Sequence, residues 1–379
     1  MNGLRAVVHP LVCADDEPVL RDPDDAGSLP LPVARIDAAQ EVLAAARAEL
    51  GEFAASEEAV AVLLRRQGVA LEAGVPELVS RKVYLRRVHE WGRASVAVQR
   101  ARPDLLSELA IGAWARPDVA ARLRRGVALR VPRGAIARIH PRTACEAAFW
   151  RGVRGAATSD EWRRLTATYS ALVYHRLAGE GVRGQERVDM PPETFHRHLR
   201  ALVRCRIRIL DRDELVSFHR GEGTFPGRRR TVVTIDDATS DVVQPLSEVS
   251  HLRPQLFAVT ASVGGTAEWL DGVELAGWDD LRRLASRGVI VGAHTRSHPH
   301  DLTALSDREL ENEVAGSRRD LAAALGEPPA LFAYPHGRLD ARVRGRVADA
   351  GYELAYSTLP GLNGAGTDPL ALRRVSAKA

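Results

Sequence analysis

Short apolar segments alternate with amphipathic segments from about residue 168 onward, and this alternation constrains the fold more than any other feature of the sequence. YSALVYHRL, TVVTIDD, QLFAVTAS and VIVGAHTRSH have the length and β-branched content of strands. WDDLRRLASRG and SDRELENEVAGSRRDLAAALG have the spacing of amphipathic helices. Because such crossover helices cover the faces of a parallel sheet, the pattern predicts an α/β fold with an open or barrel-shaped parallel sheet.

Polar clusters occur where four of these predicted strands end. They are Tyr174–His175, Asp236–Asp237, His294–His298 and Tyr334–His336. In parallel α/β folds the carboxyl ends of the strands gather at one edge and carry the functional site. The sequence therefore predicts that the four clusters meet there.

The adjacent carboxylates Asp236 and Asp237 follow a buried strand, although like charges at this distance repel each other. A bound cation would offset that repulsion. His294 and His298 lie on a strand-end turn, and two imidazoles with one carboxylate make a three-ligand set for a divalent metal with water completing the shell. The remaining carboxylate could then take a proton from the bound water.

TIDDAT, HTRSHP and FAYPHG, in this order and spacing, resemble the motifs of polysaccharide deacetylases, the carbohydrate esterase family 4 group that includes chitin and nodulation-factor deacetylases. The resemblance covers about residues 168–379. It implies a distorted (β/α) barrel of the polysaccharide deacetylase type and a hydrolase that removes acetyl groups from sugars. It also implies one divalent metal as cofactor, zinc first, with cobalt or nickel as alternatives.

Matched to the family motifs position by position, Asp236 corresponds to the catalytic base and Asp237 to the carboxylate ligand of the metal. His294 and His298 correspond to the two histidine ligands. These four assignments are what the resemblance implies.

Three further positions, Tyr334, Pro335 and His336, correspond to the motif that lines the acetyl site, where a backbone N–H helps to hold the oxyanion. Arg374 corresponds to an arginine that supports the catalytic carboxylate, and the neighbouring Arg373 is the alternative.

The sequence departs from the family pattern at several positions. Ala238 replaces the glycine that follows the two aspartates, Ile235 replaces the preceding phenylalanine, and His336 stands where tyrosine is usual. If position 238 requires a positive φ, alanine would be strained there. The late Leu/His motif, which supplies the general acid in many relatives, is not found before Ala379.

His175 could supply that acid. In relatives that resemble poly-N-acetylglucosamine deacetylases, the domain opens with a strand ending in Tyr-His, and SALVYHRL fits this pattern. An imidazole is suited to donating a proton near neutral pH. The alternative is that His175 only packs or bonds a backbone carbonyl. His300 is the reserve candidate for the acid, whereas His196 and His198 are expected on the surface.

The N-terminal half is less informative. We expect an irregular segment at residues 1–37, a mostly α-helical accessory region at 38–165 and the catalytic domain at 168–379. Within the helical region, VSRKVYLRRVHEWGRASVAVQRARPDLLSEL weakly resembles the segment that follows bacterial family 2 glycosyltransferase domains. No nucleotide-sugar domain precedes it, so this region is expected to pack on the barrel or to mediate protein or self-association.

Composition excludes several classes of protein. The net charge is +4, and basic residues are interleaved with acidic ones, which gives no nucleic-acid-binding stripe. Cys13, Cys145 and Cys205 fit neither a disulfide framework nor a zinc ribbon. No apolar run approaches the ~20 residues of a membrane span, and the N-terminus does not read as a signal peptide. We therefore expect a cytoplasmic protein.

The leading hypothesis is a metal-dependent deacetylase of an N-acetylated sugar or oligosaccharide. One alternative is an amide hydrolase that acts on a non-sugar C–N bond, because the same fold supports other chemistry. The other is a catalytically impaired carbohydrate-binding or scaffold protein, which the departures at Ala238 and His336 would favour.

Overall fold

The computed structural model describes most of the chain and divides it into two compact units. The first contains residues 1–167 and 364–366, and the second contains residues 168–363 and 367–379. The described residues are 5–13, 33–50, 56–115, 125–127, 129–132, 135, 140–179, 189–225, 227 and 229–377.

The first unit combines helices with a small sheet. Its α-helices are Gln40–Leu50, Glu57–Arg66, Arg81–Ala101, Pro141–Ala156 and Ser159–Thr166, and the 3-10 helices are Pro103–Leu105 and Ala110–Ala115. Its strands are β1 (Arg5–Cys13), β2 (Val33–Asp37), β3 (Ala70–Ala73) and β4 (Glu77–Val79). Strand β1 pairs antiparallel with β2 and parallel with both β3 and β4.

This sheet corrects the expectation of an irregular segment at residues 1–37, whereas residues 38–165 are mostly α-helical as expected and also contain two short strands. Strands β1 and β2 fall within residues 1–37, and β3 and β4 interrupt the helices. The expectation rested on the Asp- and Pro-rich residues 14–37, of which residues 14–32 lie outside the described part of the chain. Strands β1 and β3 are paired across more than fifty residues of sequence, and a local pattern does not reveal such pairing.

Two glycines allow the helices Arg81–Ala101 and Pro141–Ala156 to touch. A Cβ at Gly92 would lie 2.2 Å from the carbonyl oxygen of Phe149, and one at Gly152 would lie 2.1 Å from that of His89. Four tryptophans of this unit each contact another aromatic ring. They are Trp91, Trp114, Trp150 and Trp162. These contacts support a packing role for the tryptophans.

The second unit is built on a curled parallel sheet. Its strands are β5 (Thr168–Tyr174), β6 (Arg208–Ile209), β7 (Arg230–Ile235), β8 (Gln255–Ala258), β11 (Ile290–Ala293), β12 (Leu331–Ala333), β13 (Leu354–Tyr356), β14 (Asn363–Gly364) and β15 (Val375–Ser376). The order is β13-β12-β11-β8-β7-β5-β14, with β15 beside β5 and β6 beside β7. A short antiparallel pair, β9 (Thr266–Ala267) and β10 (Val273–Glu274), stands apart.

Helices follow most strands of this sheet. The α-helices are Pro192–Arg204, Arg212–Arg220, Val243–Glu248, Trp278–Ser286, Asp307–Leu325 and Ala341–Asp349. The 3-10 helices are Ser240–Val242, Ser250–Leu252, Thr260–Ser262, Glu268–Leu270, Leu302–Ala304 and Pro335–Gly337. Ser306 and Glu309 form a capping box that begins the longest helix, and Gly326 ends it in the left-handed conformation. A curled parallel sheet with such helices has the architecture of the predicted distorted (β/α) barrel.

The strand register places the functional segments at one edge. Tyr174 of β5 is paired with Ile235 of β7, and Ala293 of β11 is paired with Ala258 of β8 and Phe332 of β12. The residues that follow these strand ends therefore emerge side by side.

Candidate active site

Three side chains at the strand ends form a compact donor set. Oδ1 of Asp237 lies 3.5 Å from Nε2 of His298 and 3.8 Å from Nε2 of His294. One ligand atom from each of the three residues lies within 4.8 Å of the others. Carboxylate oxygen and imidazole nitrogen suit zinc and similar divalent metals. The set therefore has the composition and spacing of a metal site.

The surroundings of both histidines favour neutral imidazole rings. Nδ1 of His294 is 2.8 Å from the carbonyl oxygen of Ala333, so Nδ1–H donates there and Nε2 keeps its lone pair. Burial lowers the pKa of His298 to about 2, and the nearby His294 and His336 act in the same direction. A neutral imidazole is the form that binds a metal, so this environment fits a cation.

The backbone around the site adopts left-handed conformations at residues other than glycine. Positive φ values occur at Asp237 (70°), Ala238 (53°), Thr295 (67°), His298 (57°) and His336 (55°). Each such residue costs roughly 1–3 kcal/mol, and strain of this kind gathers at functional sites. The strain anticipated at Ala238 is thus present in the structure, on a buried residue.

Asp236 is buried beside the donor set and is held by one arginine. Nη1 of Arg374 donates to Oδ1 of Asp236 at 2.7 Å, and Nε of Arg374 donates to the carbonyl oxygen of Ser357 at 2.9 Å. Burial would raise the pKa of Asp236, but the charges of Arg374 and His294 outweigh it and hold the pKa well below its usual range. Arg373 instead reaches the carbonyl oxygen of Pro360, so Arg374 is the arginine that contacts Asp236.

His175 follows β5 directly, at the level where Asp236 follows β7. The backbone N–H of Asp236 donates to the carbonyl oxygen of Tyr174 at 2.9 Å, which fixes the two strand ends next to each other. His175 is half-buried, and its charge is among those that lower the pKa of Asp236. The structure therefore brings His175 near the same carboxylate.

In the Tyr334–His336 segment, Tyr334 and Pro335 are buried in the core, whereas His336 lies near the donor set. The hydroxyl of Tyr334 donates to the carbonyl oxygen of Leu370 at 2.9 Å, and its buried ring packs on Phe332. Pro335 is also buried. The imidazole of His336 lies 5.0 Å from that of His298, between ring centroids, and 4.9 Å from that of the exposed His300. Burial, His300 and His294 lower the pKa of His336.

The two helix histidines lie on the helix Pro192–Arg204, away from this donor set. His196 is within reach of the Pro245 carbonyl oxygen, and the ring of His198 faces Tyr174 at 6.4 Å between centroids.

Sequence reasoning missed two residues that contact the donor set or its loop. Nε1 of Trp269 donates to Oδ1 of Asp237 at 3.0 Å, and its ring stacks on His298. Glu313, on the helix Asp307–Leu325, accepts from the backbone N–H groups of Arg296 and Ser297, both at 2.9 Å. Trp269 lies in the 3-10 turn between β9 and β10, outside the three motifs, and Glu313 resembles any other glutamate on an amphipathic helix, so neither residue stood out in the sequence.

The geometry therefore defines a class of protein: an α/β protein with a parallel sheet and, at the ends of its strands, an Asp/His/His set that could hold a metal. Residues 226–355 match the family model described as polysaccharide deacetylase. This part of the chain is therefore a polysaccharide deacetylase domain. The matched residues include every predicted site residue except His175 and Arg374.

Similar proteins carry related descriptions. YxkH of Bacillus subtilis (strain 168), whose name assigns it provisionally to the polysaccharide deacetylases, is 22% identical over 208 residues, which are 54% of this chain and 69% of YxkH. The Streptococcus pyogenes deacetylase PplD, solved with acetate, has a TM-score of 0.48 at 20% identity and covers 55% of this chain and 92% of its own. IcaB from Ammonifex degensii has a TM-score of 0.49 at 23% identity and covers 56% and 92%.

None of the described helices combines the length and the apolar character that crossing a bilayer requires. The resemblance of the N-terminal half to a glycosyltransferase-associated helical segment remains a prediction.

Proposed function

We propose that this protein is a metal-dependent hydrolase that removes the acetyl group from an N-acetylated sugar or oligosaccharide. The observation that carries the proposal is the Asp237, His294 and His298 donor set beside a buried carboxylate that Arg374 holds ionised. The family match over residues 226–355 supports the acetylated carbohydrate as the substrate class. Residues 168–379 would form the catalytic domain, with residues 38–165 as an accessory region.

Asp237, His294 and His298 would hold one divalent cation, zinc first, with cobalt or nickel as alternatives. When bound, such a cation supplies Lewis acidity that polarises the acetyl carbonyl. The lowered pKa of His298 supports this assignment, because the neutral ring is the ligating form.

Asp236 would act as the general base. Its low pKa keeps the carboxylate ionised and ready to accept a proton from the attacking water throughout the neutral range. Arg374 fixes the carboxylate through Oδ1, which leaves Oδ2 for that water. The base is therefore oriented before the substrate arrives.

His175 would deliver a proton to the nitrogen of the leaving amine as the C–N bond breaks. Its position beside Asp236 at the end of β5 supports this role. The backbone N–H at His336 would donate to the oxyanion that forms on the carbonyl oxygen. The His336 side chain is exposed near His298 and would contact the sugar there.

The test combines metal content with acetate release from N-acetylglucosamine oligomers, with and without added zinc or cobalt. We expect about one metal per chain and metal-dependent release. Asp237→Ala should lose metal and activity together, whereas Asp236→Asn should keep the metal and lose activity. Metal without acetate release would favour an amide outside sugars, and absence of both would favour a binding or scaffold protein. An active Asp236→Asn variant would remove Asp236 as the base.

A further inference from the structure

Trp269 contacts two of the three members of the donor set at once. Its indole Nε1 donates to Oδ1 of Asp237 at 3.0 Å. Its ring is stacked on the imidazole of His298, with 4.4 Å between the ring centroids and 11° between their planes. Trp269 itself belongs to none of the three sequence motifs, because it lies between TIDDAT and HTRSHP.

The two histidines are supported in different ways. His294 is fixed by the bond from Nδ1–H to the Ala333 carbonyl oxygen, which is the usual device that sets the orientation of a metal-binding histidine. Nδ1 of His298 is buried and has no hydrogen-bond partner among the described residues. The stacked face of Trp269 therefore supplies the restraint on the His298 ring that a hydrogen bond supplies for His294.

Asp237 also needs an external restraint. Its backbone is left-handed, with φ at 70°, and its Oδ1 is the oxygen closest to both imidazoles. A neutral N–H donor aligns this carboxylate without adding a positive charge that would compete with a cation. The indole N–H of Trp269 meets both conditions.

The segment that carries Trp269 is itself well anchored. It lies in the 3-10 turn Glu268–Leu270 between β9 and β10, and these strands pair through Ala267 and Val273. Ala267 and Leu275 are buried on either side of the turn, and Leu270 is buried within it, in one apolar cluster. The hairpin can therefore hold the indole at a fixed place.

We propose that Trp269 is a positioning residue that aligns Asp237 and His298 for a divalent metal. This inference rests on the proposed function, since it concerns the same donor set. Trp269 acts through the two ligands and takes no part in the reaction itself. Outer contacts of this kind typically change metal affinity by about 10–100-fold.

The test is calorimetric titration of the metal-free full chain with zinc, and with cobalt for its absorption spectrum. Trp269→Phe keeps an aromatic face and loses the N–H, so zinc Kd should rise roughly 10-fold. Trp269→Leu loses both contacts, so zinc Kd should rise roughly 100-fold and the visible bands of bound cobalt should change in shape and position. Trp162→Phe, in the other unit, is the matched control and should bind as the wild type does.

The outcomes separate this inference from the proposed function. A wild type that binds no metal would overturn the proposed function. A wild type that binds metal, with unchanged Kd and cobalt spectrum in both Trp269 variants, would overturn only the positioning role. Circular dichroism and thermal unfolding would check that each variant is folded. If Trp269→Leu does not fold, the smaller change Trp269→Phe still tests the proposal.

Discussion

At the scale of single residues, the buried pair of Asp236 and Arg374 links stability to function. Both side chains are almost completely inaccessible, and the carboxylate is charged. Removing one partner of such a pair leaves the other charge buried without compensation. The same contact that would orient a general base therefore also contributes to the fold.

Arg374→Met should lower the free energy of unfolding by about 3–5 kcal/mol, because Asp236 loses its charged donor. Chemical denaturation of the full chain measures this change. Arg373→Met is the matched control, since the only side-chain hydrogen bond of Arg373 to a described residue goes to the Pro360 carbonyl oxygen, and it should cost less than about 1 kcal/mol. Equal losses in the two variants would contradict a special role for the Asp236–Arg374 pair.

His175→Gln should lower turnover by about 100-fold if His175 delivers the proton to the leaving amine. Zinc content should stay at the wild-type level, because His175 is outside the donor set. Steady-state acetate release and metal analysis on the same sample test both statements. The exposed His251 provides the control His251→Gln. Unchanged turnover in His175→Gln would return this histidine to a packing role.

The sequence singles out residues whose side chains are charged or can ligate a metal. It does not reveal residues whose role depends only on where the fold places them. Asp236, Asp237, His294 and His298 stood out because charged or ligating side chains followed apolar strands. The choice between Arg373 and Arg374 stayed open, because adjacent side chains point in opposite directions and only the register decides. Trp269 gave no signal, because a tryptophan is usually a core residue.

At the scale of elements, the helix Asp307–Leu325 holds the loop that carries His298. Glu313 accepts three hydrogen bonds from this loop: from the N–H groups of Arg296 and Ser297 and from the hydroxyl of Ser297, the last at 2.7 Å. The buried carboxylate satisfies donors that the left-handed turns at Thr295 and His298 leave without strand partners. The helix thus stabilises a strained loop.

Glu313→Ala should lower the free energy of unfolding by about 2–3 kcal/mol, because three hydrogen-bond donors of this partly buried loop lose a charged acceptor. It should also weaken zinc binding, since the loop becomes free to relax away from the His298 geometry. Denaturation and zinc titration provide the two readouts. The exposed Glu311 gives the control Glu311→Ala, and Glu313→Gln should recover part of both losses. A Glu313→Ala variant with wild-type stability and zinc affinity would contradict this role.

Secondary structure was predictable where the signal was local and periodic. The central strands of the second unit and the helices between them matched the alternation in the sequence, because β7, β8, β12 and β13 are buried on both faces and the helices have one apolar face. Strands β1 and β2 were not predicted, because the Asp- and Pro-rich composition between them outweighed the apolar residues of RAVVHPLVC.

At the scale of the whole molecule, acid should weaken the first unit in a defined pH range. Glu161 accepts two hydrogen bonds from Arg100, at 2.6 and 2.7 Å, and a third from the Thr158 backbone. The Arg100 bonds, despite the opposing effect of burial, lower the pKa of Glu161 to about 2 from an ordinary 4.5. A lowered pKa adds stability that is present above pH 4.5 and is lost as the pH falls towards 2.

Unfolding free energies of the wild type and Glu161→Gln should therefore differ by about 1 kcal/mol or less at neutral pH, because the pair is largely exposed. The difference should shrink between pH 4.5 and pH 2. Denaturation at a series of pH values measures it. The exposed Glu90 offers the control Glu90→Gln, with a change below about 0.5 kcal/mol throughout. A constant difference across this range would contradict the assigned pair.

The bond between Arg374 and Asp236 joins residues 138 positions apart in the chain. During translation at about 5–20 residues per second, Asp236 is therefore synthesised roughly 7–28 seconds before its arginine. Throughout that interval the nascent chain carries two neighbouring carboxylates at the end of a completed apolar strand, without the arginine that pairs with Asp236. The charged pair beside the metal-binding residues can therefore form only after almost all of the 379 residues have been synthesised.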